Sequence, residues 1–102
     1  MEKAKAHYPL AEVQADVGRR EAAAFTRTAL GNGRAMGLTV GEMVEVMRAL
    51  ERGNFYKSMT THADHKVWQD VYHAMTPAGK EAYIKITGIG AGLPPVIQFK
   101  EK

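Results

Sequence analysis

At 102 residues, 45% apolar and 25% charged, the chain matches an ordinary globular domain and not a disordered or membrane chain, and one domain over residues 1–102 is expected. Fourteen Lys and Arg against eleven Asp and Glu leave a net +3, a mild excess that suits a polyanion partner without demanding one, and it is not gathered into a basic arm or tail. With no cysteine and no apolar run near the roughly 20 residues of a membrane span, disulfides, thiolate metal sites and a membrane helix are excluded; neither a signal peptide nor a membrane partner is expected, and the expected compartment is the cytoplasm.

The first predicted element is a short amphipathic helix. Leu10, Val13 and Val17 repeat at spacings of three and four, and Gly18 reads as its stop, with Arg19 and Arg20 in the exit loop. Ala22 to Phe25 is a brief apolar run, expected as a short strand. Thr26 or Thr28 is placed to cap a second helix reaching about Met36, which Gly31 and Gly33 weaken by roughly 1 kcal/mol each relative to alanine. Gly37 closes it. Thr39-Val40-Gly41-Glu42 then has the capping-box pattern, in which Thr39 accepts from a backbone N–H and Glu42 reaches back. The third helix runs through Leu50, and Val40, Met43, Val44, Met47 and Leu50 form one stripe at helical spacing, read as core.

Beyond Gly53-Asn54 the texture changes to β-branched and aromatic residues with period two, and strands are expected at about 55–61, 66–73, 81–88 and 95–101. Helices first and strands after define an α+β protein, with N-terminal helices packed on one face of a largely antiparallel sheet. Ile84, Ile86, Ile97 and Phe99 point toward the helices. Tyr83, Lys85, Thr87, Gln98 and Lys100 point away and make a polar sheet face. In the first two strands the alternation leaves the direction of Lys57 and Gln69 open, because Lys57 shares a face with Phe55 and Met59, and Gln69 with Val67 and Val71.

Several motifs have plain structural readings. Gly88-Ile89-Gly90-Ala91-Gly92 superficially resembles a phosphate-binding loop, but such a loop must open a helix, and here Pro94-Pro95 and a strand follow. It is read as a hairpin connection. His62 and His65 lack the helical i, i+4 geometry and a third ligand, so no metal and no cofactor are assigned. Ser58 is the only serine and stands in no nucleophile elbow, so serine-nucleophile hydrolysis has no support.

Lys57, Gln69, Tyr83, Lys85 and Lys100 remain, and from the residues alone they read as a solvated sheet face. A set of ordered blocks changes that reading: Met1-Glu2-Lys3, Arg27-Thr28-Ala29-Leu30, Met36-Gly37-Leu38, Phe55-Tyr56-Lys57-Ser58-Met59-Thr60-Thr61, Asp64-His65, Trp68-Gln69-Asp70-Val71-Tyr72, Tyr83-Ile84-Lys85-Ile86-Thr87 and Phe99-Lys100-Glu101-Lys102. Together they resemble the motility quorum-sensing regulator (MqsR) family of toxins, among the RelE-like ribonucleases. The resemblance departs at His73-Ala74-Met75, where arginine-bearing sequence is expected, and in the length of the connection from Gly88 to Pro95.

The resemblance implies a RelE-like fold and a type II toxin that is a ribosome-independent mRNA endoribonuclease. It further implies Lys57, Gln69 and Tyr83 as catalytic groups, Lys100 as a further basic residue of the site, and metal-free attack by the 2′-hydroxyl at sites containing GC followed by U or A; Lys85, on the same polar face, is expected to bind RNA together with Lys100. The implied partners are mRNA and a proteic antitoxin with a zinc-binding N-terminal domain and a helix-turn-helix DNA-binding domain. If Lys57 and Gln69 join Tyr83 on one face, Tyr56 and Ser58 turn toward the helices and need hydrogen-bond partners there. The general base is open between Tyr83 and a Lys57 of depressed pKa. The alternative is a non-catalytic module that binds RNA or a partner protein through the same face.

Overall fold

In the computed structural model, residues 1–90 and 92–102 are described; Ala91, in the middle of the glycine-rich connection, lies outside them. The elements are β1 (Glu2–Lys3), α1 (Leu10–Arg20), α2 (Arg27–Ala35), α3 (Val40–Arg48), β2 (Phe55–Thr60), β3 (Trp68–Met75), β4 (Glu81–Thr87) and β5 (Val96–Glu101). The strands form one sheet in the order β1-β2-β3-β4-β5, every neighbour antiparallel. The helices cover one face of it, which is the expected α+β arrangement.

The core is built where the period-two and helical patterns meet. Val17, Met47, Ile84, Ile86 and Ile97 are fully buried in one cluster with Met43 and Phe99, and each such side chain contributes on the order of 1.5–3 kcal/mol. Of the expected methionine stripe, only Val40 stays at the rim, 38% exposed. The capping box of α3 forms as expected: Glu42 N–H donates to Thr39 Oγ1 and Thr39 N–H to Glu42 Oε1. Thr26 rather than Thr28 caps α2, accepting from Ala29 N–H. Gly33 lets the Met43 side chain lie against α2, and a Cβ there would make the Met43 thioether shift where α2 meets α3.

Two expectations near α1 are corrected. The helix does not stop at Gly18 but runs through Arg20, because buried Asp16 accepts from both Arg19 and Arg20 one turn on. It ends at Glu21, whose φ of 50° breaks the spiral while its N–H still donates to Val17 O. Residues Glu21–Ala24 form a 3₁₀ turn and not a strand, in keeping with the poor strand preference of alanine. Only Phe25 retains a β contact, a parallel bridge to Ile97, and Thr26 N–H donates to Ile97 O at 3.0 Å. Asn32 Nδ2, from the second half of α2, donates to Phe99 O at 3.0 Å, so α2 covers the β5 edge of the sheet.

β1 was not expected. Its two residues pair with Met59 and Ser58, too short a run to show period two. What holds it is a buried carboxylate: Asp70 accepts from Ser58 Oγ at 2.7 Å, from Tyr8 N–H at 2.8 Å, and from His7 N–H. The Tyr8 hydroxyl donates to Trp68 O at 2.7 Å and accepts from Gly88 N–H at 2.8 Å. A Cβ at Gly88 would overlap that hydroxyl. The glycine therefore serves a close approach between the N-terminal segment and the end of β4, in keeping with its reading as part of a connection.

Candidate active site

On the sheet face away from the helices, the antiparallel register sets out three rows of side chains. Lys57, Val71, Lys85 and Gln98 form the middle row. Met59, Gln69, Thr87 and Val96 lie to one side of it, and His73, Tyr83 and Lys100 to the other. Successive rows are two residues, or about 7 Å, apart. Lys57 and Gln69, whose direction was open in the sequence, thus share a face with Tyr83, Lys85 and Lys100. Gln69 and Tyr83 nevertheless stand two rows apart, and Gln69 Nε2 donates to Thr87 Oγ1 at 3.0 Å.

The β2–β3 register slips between Phe55 and Lys57, which makes Tyr56 the extra residue of a bulge. A bulge breaks strict alternation. Tyr56 is consequently not turned toward the helices, as expected, but is 56% exposed and stacked on His73 with ring centroids 4.6 Å apart. Ser58 does face inward, fully buried, and donates to Asp70. His73 and Tyr83 continue the line of rings at 5.3 Å, and Lys100 Nζ sits 5.2 Å from the Tyr83 ring centroid. Tyr56, His73 and Tyr83 thus form an aromatic band running across three strands and ending at a lysine.

Lys57 lies beside this band, with Nζ 5.4 Å from the Tyr56 ring centroid and 2.8 Å from Glu2 Oε2. The hydrogen bond to Glu2 is the main reason its ammonium is held above its ordinary range; burial opposes this, and the Glu2, Tyr56 and Tyr83 charges add to it. The same bond holds the Glu2 carboxyl below its ordinary range. Lys57 is therefore protonated at neutral pH. A Lys57 of depressed pKa therefore has no support in this geometry, because its pairing with Glu2 shifts it the other way. Among the described residues Lys85 and Lys100 form no ion pair.

His73 has a buried Nε2 with no hydrogen-bond partner among the described residues. Burial pushes its imidazole below its ordinary range, the Lys102 charge adds to this, and Glu81 opposes it. The unfolded chain, near 6.5, then takes up the proton before the folded one. Stability is therefore unaffected by this group above about pH 6.5 and falls as pH drops through the lower folded value. Urea titrations from pH 7.5 to 5.5 are expected to show this loss in the wild type, and His73→Phe, which keeps a ring between Tyr56 and Tyr83, is expected to flatten it. Parallel pH profiles for the two proteins would contradict the assignment.

His62 and His65 lie exposed in the turn between β2 and β3, and among the described residues no three His, Asp or Glu side chains gather as metal ligands. Glu2 and Asp70 were missed in the sequence because their partners are 55 and 62–63 positions away. The apolar bias around Trp68-Gln69-Asp70-Val71-Tyr72 was the one available sign that Asp70 is buried.

A helix-backed antiparallel sheet whose open face carries a ring band and three lysines has groups of the kind that meet single-stranded nucleic acid, rings for bases and cations for phosphates. The family model described as "Motility quorum-sensing regulator, toxin of MqsA" matches residues 5–101. The mRNA interferase toxin MqsR of Escherichia coli (strain K12) is 41% identical over 102 residues, covering 100% of both chains. The chain belongs to the motility quorum-sensing regulator toxin family, as the resemblance implied.

Proposed function

We propose that the chain is the toxin of a type II toxin–antitoxin pair and an endoribonuclease that cuts mRNA, independently of the ribosome, at sites containing GC followed by U or A. The observation that carries this reading is the common face of Lys57, Gln69 and Tyr83, in a chain similar over its full length to a named mRNA interferase. In metal-free cleavage the adjacent 2′-hydroxyl attacks the phosphorus, the protein stabilises the charged phosphorane, and the 5′ oxygen leaves with a proton. Lys57, held protonated by Glu2, supplies charge to a non-bridging oxygen. Gln69 cannot titrate and orients the strand. Tyr83 donates a proton to the leaving 5′ oxygen, the attacking 2′-hydroxyl gives its own proton to water, and that proton restores the Tyr83 phenol, so the step ends with the residue as it began.

Lys85 and Lys100 hold flanking phosphates. The spread of the three catalytic groups over rows fits a strand laid along the face and not a point-like substrate. The partner is a proteic antitoxin, with a zinc-binding N-terminal domain and a helix-turn-helix DNA-binding domain. It docks beside the site by adding a strand at the β1–β2 edge. The β5 edge is already engaged by Phe25, Thr26 and Asn32, whereas β1 spans only two residues.

End-group analysis of cleaved RNA tests the chemistry. The upstream fragment is expected to carry a 2′,3′-cyclic phosphate or its 3′-phosphate product, the downstream one a 5′-hydroxyl, with activity retained in EDTA. A downstream 5′-phosphate, or complete loss of activity in EDTA, would point to metal-assisted hydrolysis instead.

A further inference from the structure

Between α2 and the β4–β5 side of the open face lies a cleft of ≈ 410 Å³, lined by Thr28 and Asn32 from the helix and by Tyr83, Lys85, Gln98 and Lys100 from the sheet. That size falls within the roughly 300–1,000 Å³ of small-ligand sites. The groups around it are unequally free. Thr26 is used as the α2 cap and the Asn32 amide nitrogen is held by Phe99 O. The two glutamines of the face differ in the same way: Gln69 donates to Thr87, whereas Gln98 Oε1 is shielded from solvent with no hydrogen-bond partner among the described residues. Buried side-chain acceptors are nearly always paired. The oxygen itself does not open on the cleft, so a ligand in the cleft meets it when the amide turns outward, and the hydrogen bond gained there is one that the fold does not supply.

Sequence preference also needs a reader. Lys57, Lys85 and Lys100 contact phosphates, which carry no base identity, and a Tyr83 ring stacks on any base. An amide presents a donor and an acceptor side by side, the pattern that pairs with a base edge. We propose that this cleft holds one nucleobase of the RNA strand and that the Gln98 amide reads its hydrogen-bonding edge. This rests on the RNA-cleaving reading of the same face. Tyr83 supplies the stacking surface, Lys85 and Lys100 hold the phosphates on either side, and the entering base pairs the amide that the fold leaves unpaired. Gln98 is thus a specificity-determining contact and takes no part in bond making.

The test is binding of the whole protein to short RNAs in which every 2′-hydroxyl is replaced by fluorine, so that none can be cut, with each position varied through the four bases. The wild type is expected to discriminate among bases at one position that Gln98→Leu treats about tenfold more evenly, with preferences elsewhere kept. Gln98→Glu, which retains the acceptor and loses the donor, is expected to shift that position toward cytosine, whose amino group a carboxylate accepts. Identical preference patterns in wild type and both variants would overturn the proposal, as would a wild type with no base preference at any position. Discrimination that is lost in Gln98→Leu, in a wild type that leaves the matching 2′-hydroxyl RNA uncut, would support the base-reading cleft and reject catalysis alone.

Discussion

Tyr83→Phe is expected to fold normally and to cut RNA about 10²–10⁴ times more slowly, the usual effect of losing a positioned proton donor. Folding is preserved because among the described residues the Tyr83 hydroxyl makes no hydrogen bond within the chain, and the phenylalanine ring keeps its place between His73 and Lys100. Lys57→Ala removes the charge proposed to meet the phosphorane and is expected to cost about 10²–10³. Gln69→Ala, which loses orientation only, is expected to cost about tenfold or more. Single-turnover rates on one labelled oligoribonucleotide, with unfolding curves for each variant, check all three. Wild-type rates in the folded variants would remove these residues from the chemistry.

The largest effect on stability is expected at Asp70. Its fully buried carboxylate gathers the Ser58 hydroxyl and the His7 and Tyr8 backbone N–H groups. Asp70→Ala leaves all three donors without their acceptor in or near the core, at about 1–3 kcal/mol each for a buried unpaired group. A net loss of about 3–5 kcal/mol is expected, a large share of the roughly 5–15 kcal/mol that holds a domain folded. Asp70→Asn, which keeps the shape and loses the charge, is expected to lose about 1.5–3 kcal/mol. The change also reaches the active face: Asp70 ties down the segment after β1, and β1 carries Glu2 to Lys57. Urea unfolding measures the effect, and a loss under about 1 kcal/mol in Asp70→Ala would contradict it.

What was legible in the sequence follows from the range of the forces involved. The capping box of α3, the inward set Ile84, Ile86, Ile97 and Phe99, and the outward set Tyr83, Lys85, Gln98 and Lys100 depend on neighbours a few residues away, so their pattern is written locally. The end of α1 was misplaced because the Asp16 pairing with Arg19 and Arg20 outweighed the glycine between them. Tyr56 was misdirected because a one-residue bulge reverses the facing of a side chain and leaves no mark in composition. β1 and the Lys57–Glu2 pair depend on contacts across more than fifty residues. The grouping of Lys57, Gln69 and Tyr83 came from the family resemblance, and the register supplied the reason that they share a face.

The most direct measurement is the incubation of purified protein with a transcript containing GCU and GCA sites, followed by sequencing of every new 5′-hydroxyl end. New ends confined to GC followed by U or A, and formed about 10²–10⁴ times more slowly with Tyr83→Phe, are the expected result. A transcript that is retained by the wild-type protein but stays intact would contradict it and identify the face as a binding surface alone.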